Sequence, residues 1–446
     1  MKLIQTLKNI WKIEDLRKRL TITFLLVLVY RFGCYVVLPG INPSDLDALR
    51  KFTNSGLMQL LDMFSGGAFS QASIFALGIM PYITASIVIQ LLGMVMPRFQ
   101  KMQREGESGR MKLNQYTRYL TVLILLVQAP AYLLNLRVQV ASAGGSVMMG
   151  FWTMFFLTIV LTAGAMFIMW LGEKITDKGI GNGISLIILV GIIARFPGAL
   201  VQEFTARLTT AQGGLVMFLV EIIILFAVTA GAVMLTQGTR KVPVQYAKRI
   251  VGNKQYGGAR QYIPLKVNAA NVMPIIFAQA LMFIPITLAG FGAHQQDSGF
   301  LGSVSRTFGD MNGFWYNVVY FLMIVAFTYF YTAITVRPTQ MAEEMKKNSG
   351  FIPGIKPGKK TAGYIDSIMS RITLPGSIFL GIVAILPAFA RVFGVNQNFA
   401  QFFGGTSLLI TVGVVLDTLQ QIETHLMMHH YDGLMKSGKV KGRTQV

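Results

Sequence analysis

The chain has 446 residues, of which 53% are hydrophobic and 13% charged, against about 25% charged in an ordinary soluble domain. Its 40 Lys and Arg outnumber 19 Asp and Glu, giving a net charge of +21. These values argue against a water-soluble globule, and the single cysteine, Cys34, rules out an intrachain disulfide; basic loops on a body that faces lipid fit both.

Residues 1–19 carry Lys2, Lys8, Lys12, Glu14, Asp15, Arg17, Lys18 and Arg19, and no small-residue cleavage site follows, which is not the pattern of a signal peptide. Leu3, Leu7, Ile10 and Trp11 recur at helical spacing, so the segment reads as an amphipathic helix on the cytoplasmic surface or, alternatively, as a disordered basic arm. A membrane span needs about 20 mostly apolar residues, because the hydrocarbon core is about 30 Å thick and a helix rises about 1.5 Å per residue. Such runs fall at 20–38, 72–93, 119–136, 152–171, 183–200, 215–236, 271–290, 314–336, 369–389 and 404–422. They are uninterrupted, unlike the short alternating segments of a membrane β-barrel, and backbone in lipid must satisfy itself, so they predict helices. In the first run Cys34 reads as a small apolar residue, and Arg31 lies toward the outer end, placed to snorkel to water.

Residues 57–93 are too many for one span and are broken by Gly66-Gly67, followed by Ser70 and Gln71. The first part, Leu57 to Phe64, predicts a helix too short to cross. It is either re-entrant structure in a bundle that encloses a cavity or a short helix resting on the outer surface. Gly179, Gly181 and Gly183 follow a membrane helix rather than a strand, so they predict a tight reversal, with Asn182 or Ser185 at the next helix start, and not a phosphate loop. An exposed region at 201–214 divides the spans into five and five, giving a half at 1–200 and a half at 201–446 with a cytoplasmic tail at 423–446. Halves with an odd number of spans lie in opposite orientations, and a shared fold would make them an inverted repeat. Two long basic segments, 237–270 and 337–368, mix charge with Gly, Pro and aromatics such as Tyr246, Tyr256, Tyr262, Phe351 and Tyr364. They read as ordered loops that dock a partner; adsorption to anionic lipid, worth about 1 kcal/mol per basic residue, is the alternative.

Lys and Arg concentrate on one side: the first 19 residues, the segments near 98–118, 174–178, 237–270 and 337–371, and the tail. The other side holds only Arg50, Lys51, Arg137, Arg195, Arg207, Arg306 and Arg391. Positive loops stay in the cytoplasm, so both termini are expected there.

No catalytic constellation emerges, and no cofactor or metal set. His425 and His429 stand at i, i+4 without an acidic partner and read as solvated or headgroup-facing. Asp417, Glu173 and Glu221 lie at or near span ends, whereas an ion-coupled transporter shows midplane carboxylates or histidines. The spans carry Thr84, Ser86, Gln90, Gln128, Asn271 and Gln279, which alone suggest ordinary interhelical hydrogen bonds, and prolines at 81, 130, 274, 285, 375 and 387 that would weaken or kink helices.

Residues 73–90 (Ser-Ile-Phe-Ala-Leu-Gly-Ile-Met-Pro-Tyr-Ile-Thr-Ala-Ser-Ile-Val-Ile-Gln), 170–185, 264–268, 351–358 and 403–410 resemble the SecY/Sec61 alpha family, central subunits of the Sec protein-conducting channel, and the resemblance runs from the first span to the tail. It implies an all-α membrane protein of about ten transmembrane helices, whose two inverted five-helix halves enclose an hourglass pore. By motif position it implies a constriction ring at Ile79, Ile83, Ile184, Ile188, Ile276 and Ile410. It makes 57–71 a plug, with Leu57, Met58, Leu60, Leu61, Met63, Phe64, Gly66 and Gly67, and builds a lateral gate from the spans of Thr84, Gln90, Gln128, Asn271 and Gln279. The residues themselves are compatible: Ile79 with Ile83, and Ile184 with Ile188, share a helix face, and apolar constrictions gate by dewetting.

The implied partners are the small subunits SecE and SecG, the SecA motor, the ribosome with its RNA, signal sequences and nascent polypeptides, and membrane lipid. Partner contacts would fall on Arg240, Lys241, Lys248, Arg249, Arg260, Lys266, Lys356, Lys359 and Lys360. Where the family usually carries arginine at the second loop's tip this chain has Lys356, which keeps the charge and loses the planar fork. The expectation is a passive channel of a bacterial cytoplasmic membrane, not an enzyme. A secondary transporter would need convergent midplane polar groups, and an intramembrane enzyme a nucleophile or metal set.

Overall fold

Helices dominate the molecule because the apolar runs leave the backbone no partner but itself. The structure, a computed structural model, describes residues 13–41, 62–142, 150–209, 214–246, 249–251, 254–256, 260–270, 272–279, 281–282 and 313–436. In chain order the helices are α1 Glu14–Gly33, α2 Met80–Val95, α3 Pro97–Arg104, α4 Glu107–Ser142, α5 Phe151–Lys178, α6 Gly183–Thr209 and α7 Gly214–Gln237. After a run of strands come α8 Phe314–Thr335, α9 Pro338–Lys347, α10 Lys359–Val392, α11 Gln397–Ala400 and α12 Gly405–Lys436. Among the described residues seven helices are long and apolar enough to cross a membrane, or eight if the bent pair α2–α3 counts as one span. Most of the predicted span at 271–290 lies outside the described residues, although 273–279 are helical.

Several boundaries differ from expectation for clear reasons. The first span is predicted at 20–38, but α1 starts at Glu14 and ends at Gly33; residues 34–41 leave the helix, and Val37 forms a β-bridge with Ser73. The span predicted at 72–93 is helical only from Met80, since turns occupy 65–79, and Pro81 sits in the first turn of α2, where its missing N–H costs nothing. Pro130, Pro375 and Pro387, by contrast, lie inside helices. The region 201–214, expected to be exposed, is helical to Thr209 and buries Glu203 and Arg207. The reversal after α5 follows the sequence reading: Asn182 Oδ1 accepts the N–H groups of Ile184 (3.1 Å) and Ser185 (3.4 Å) at the start of α6.

The chain forms two compact units, one of residues 1–198 with 414–446, the other of residues 199–413. In the first, α4 packs against α2, α3 and α5, and α1 packs against α5. One core there joins Leu38, Ile41, Phe69, Ala72 and Ala76 to Ala129, Tyr132, Leu133 and Leu136 of α4 and Leu157 and Leu161 of α5. In the second unit α10 packs against α8 and α9. Beside it lie β1 Thr239–Tyr246, β2 Arg249–Val251, β3 Lys254–Tyr256, β4 Arg260–Lys266 and β5 Gly350–Phe351. β1 pairs antiparallel with β4, from Thr239 opposite Lys266 to Gln245 opposite Arg260, and β5 pairs with the end of β1 at Gln245 and Tyr246. Pro243 is tolerated in this strand because its stretch of β1 pairs on the β4 side only.

Candidate functional site

Among the described residues of the first unit, 65–79 form the longest stretch without helix. From Asp62 to Met80 no residue is exposed, although only 62–64 and Met80 are helical. Non-helical backbone among membrane helices survives only if its polar groups are satisfied, and the contacts account for many of them. Gly67 N–H donates to Asp62 O (2.8 Å), Ser73 N–H to Ala68 O (3.1 Å), Leu38 N–H to Ala72 O (2.9 Å) and Ile74 N–H to Val36 O (2.9 Å). Side chains cover further carbonyls: Tyr30 Oη donates to Ser65 O (3.2 Å), an Arg31 Nη to Gly66 O (2.9 Å) and Tyr132 Oη to Phe69 O (3.0 Å). Arg31, placed to snorkel, gives one nitrogen to this loop and another to the Oη of the exposed Tyr35 (3.1 Å). Gly66 and Gly67 adopt φ of +68° and +93°, and a Cβ on Gly66 would sit 2.9 Å from Gly191 Cα of α6. Gly164 of α5 gives similar room, since a Cβ there would meet Ile74 O at 2.3 Å.

An ion pair that the sequence reading passed over completes this seat. Asp62, 1% exposed, pairs through Oδ2 with the Arg195 guanidinium of α6, while its Oδ1 accepts the Ser70 N–H (2.7 Å). An Arg195 Nη also donates to Ser70 Oγ (3.2 Å). The signal was available: Asp62 is the only charged residue between Lys51 and Arg98, and Arg195 the only one between Lys178 and Glu203. Of the expected plug residues, Met63 and Phe64 are buried and Gly66 and Gly67 make the turn; Leu57, Met58, Leu60 and Leu61 lie outside the described residues.

None of the six isoleucines expected in the ring is exposed. Ile79, Ile188 and Ile410 are buried, and Ile83, Ile184 and Ile276 are half-buried. Ile79 precedes α2 and lies one turn before Ile83, whose N–H it accepts (3.1 Å). Ile184 and Ile188 occupy the first turns of α6, with Ile184 against Gly172 of α5. Ile276 and Ile410 belong to the second unit.

Of the residues expected in the gate, Thr84 and Gln90 bond within their own helix. Thr84 Oγ1 donates to Met80 O (3.1 Å) and Gln90 Nε2 to Ser86 Oγ (3.5 Å), both within α2, because a partner one turn away is always in reach. Gln128 is half-buried on α4; Gln279 is buried, and its Oε1 has no hydrogen-bond partner among the described residues. Asn271 lies outside the described residues.

The two basic segments form one platform. β1 and β4 come from the first and β5 from the second, and Val242, Val244 and Leu265 share a core with Met345, Ile352, Ile365, Ile368, Met369 and Ile372. Around it Arg240, Lys241, Lys266, Lys356, Lys359 and Lys360 are exposed. Arg249 and Arg260 lie on β2 and β4, and Lys248 is outside the described residues. Lys359 and Lys360 open α10, where the helix's own positive end disfavours cations and favours an anion.

These features define a multi-pass membrane protein with a loop seated inside its first bundle and a basic sheet on its second unit. The model of the SecY family matches residues 73–419. The protein translocase subunit SecY of Streptomyces galbus is 43% identical over 435 residues, covering 96% of this chain and 98% of that protein. The chain belongs to the SecY family. The fold agrees with a solved structure concerning the SecY plug domain, which stabilises the closed state of that translocation channel and maintains a membrane seal, at TM-score 0.60 and 19% identity over 92% of each chain. It agrees likewise with Sec61 in a canine ribosome–channel complex, at TM-score 0.58 and 18% identity over 92% of each chain.

Proposed function

We propose that the chain is the passive protein-conducting channel of a bacterial cytoplasmic membrane, with both termini in the cytoplasm. It passes unfolded secretory polypeptides across and releases transmembrane segments sideways into lipid. The observation that carries this reading is the non-helical 65–79 segment, none of it exposed: a bundle that needs only to sit in lipid has no use for a loop inserted among its helices. Residues 57–71 act as the plug, as the plug domain does in the SecY relative. The six isoleucines form a waist that dewets when empty and fits loosely around a moving chain. Apolar burial in lipid drives a signal sequence out through the gate spans, and no residue of the chain performs chemistry.

Family membership supports SecE and SecG as small subunits, SecA as motor and, as for canine Sec61, a translating ribosome as the alternative drive. The test is reconstitution: the complex purified from membranes carries the small subunits, and vesicles holding it take up a preprotein when SecA with ATP or a translating ribosome is added. Vesicles that take up nothing with either drive would refute the channel reading. Deleting 57–69 raises resting ion conductance; unchanged conductance would reject the plug. Cysteines replacing Gln90 and Gln279 crosslink and arrest secretion; secretion at full rate after complete crosslinking would refute the gate.

A further inference from the structure

We propose that the Asp62–Arg195 ion pair is a latch that fixes the register of the plug in its closed seat and releases it without trapping it; the proposal rests on the plug reading of residues 57–71. Asp62 is the only charged residue the segment carries, and it is placed where it ties three things together. Its Oδ2 meets the guanidinium of Arg195 on α6, and its Oδ1 takes the N–H of Ser70 eight residues on. Ser70 Oγ then accepts from Arg195 (3.2 Å) and donates to Gly67 O (3.1 Å), so the loop is closed on itself and pinned to α6 by one group. Apolar packing of Met63, Phe64 and Phe69 holds the loop in without fixing its register, because such contacts are non-directional. A charged pair with two hydrogen-bonded oxygens has a direction and a length.

The same chemistry makes the latch releasable. A buried ion pair gains little over its separated, hydrated partners, so a plug that moves into water regains as hydration what it gives up as an ion pair. Removing one partner is different, since it strands a charge in the seat. The two ends are unequal: the Asp62 side chain is 2% exposed, whereas the Arg195 side chain is 28% exposed. Arg195→Gln is therefore the more disruptive change, Asp62→Asn the milder one, and the double variant strands nothing.

The chain carries its own reporter. Cys34, its only cysteine, is 2% exposed with Sγ 3.9 Å from Ser65 O, so it is covered while the plug is seated. The experiment labels Cys34 with a small maleimide in membrane vesicles holding the full chain and measures ion conductance beside it. Arg195→Gln labels and leaks roughly tenfold faster than wild type, Asp62→Asn less so, and the double variant returns to within about threefold of wild type. If Arg195→Gln does not accumulate in the membrane, Asp62→Asn, which keeps the side chain's size, carries the test. Single variants that label at the wild-type rate, or a double variant as leaky as the worse single, overturn the latch. Should deletion of 57–69 leave vesicles tight, plug and latch fall together; a leaking deletion with tight single variants removes the latch alone.

Discussion

Arg207 serves two carboxylates at once. Its Nε reaches Glu203 Oε1 at 2.9 Å and an Nη reaches Glu221 Oε1 at 2.5 Å, while Glu203 Oε2 accepts the Asn396 N–H (2.9 Å) and Arg207 donates to Gly394 O (3.1 Å). The cluster joins the end of α6, α7 and the turn after α10, with all three charged groups under 10% exposed. Arg207→Gln leaves two buried carboxylates facing each other, and such a loss costs about 3–5 kcal/mol. The denaturant midpoint of the full chain in detergent should fall accordingly, and replacing Arg207, Glu203 and Glu221 together by Leu should recover much of it. An unchanged midpoint in Arg207→Gln would show that the cluster holds nothing. This is the residue scale at which the sequence was least legible: Arg207 read as one of a few outer-side cations and Glu221 as a span-end acid, because pairing across helices leaves no trace in spacing. Asp62 and Arg195 differ, since each stands alone in an apolar run, and a solitary charge there implies a partner.

At the scale of elements, the apolar runs at 152–171, 215–236 and 314–336 correspond closely to α5, α7 and α8, because in lipid a run of that length has one way to satisfy its backbone. The run at 72–93 failed for an equally physical reason. Residues 72–79 are apolar because they are buried among helices, and hydropathy cannot distinguish burial in protein from burial in lipid. Order in the basic loops was legible from their aromatics and prolines, but their union into one sheet was not, since β1 and β5 are about a hundred residues apart. That union makes Val244 a test of the platform alone. Val244 is 1% exposed, in a core shared by β1, β4, α9 and α10. Val244→Asp buries a carboxylate there and should open the sheet, making 237–270 protease-sensitive and abolishing partner docking, with resting conductance unchanged. A leak in this variant would mean that the platform and the seal are not separate devices.

For the whole chain the governing quantity is its excess of positive charge, 40 Lys and Arg against 19 Asp and Glu. A net charge of +21 on so few charged residues does little for a fold in lipid, and Lys359 and Lys360 at the opening of α10 even oppose their own helix. Cations kept at such a site are explained by a partner that is an anion, and ribosomal RNA is a polyanion. Binding of ribosomes to inverted vesicles should then weaken steeply with salt, the logarithm of affinity falling by roughly 0.7–0.9 per neutralised phosphate for each logarithm of salt. Changing Lys356, Lys359 and Lys360 to Glu should weaken docking and flatten that slope by about one for each phosphate no longer neutralised. Adsorption to anionic lipid produces a similar salt response by another route, so lipid composition decides between them. In nanodiscs of purely zwitterionic lipid the ribosome should still bind wild type and discriminate against the triple variant; loss of that discrimination would assign the lysines to the membrane surface instead.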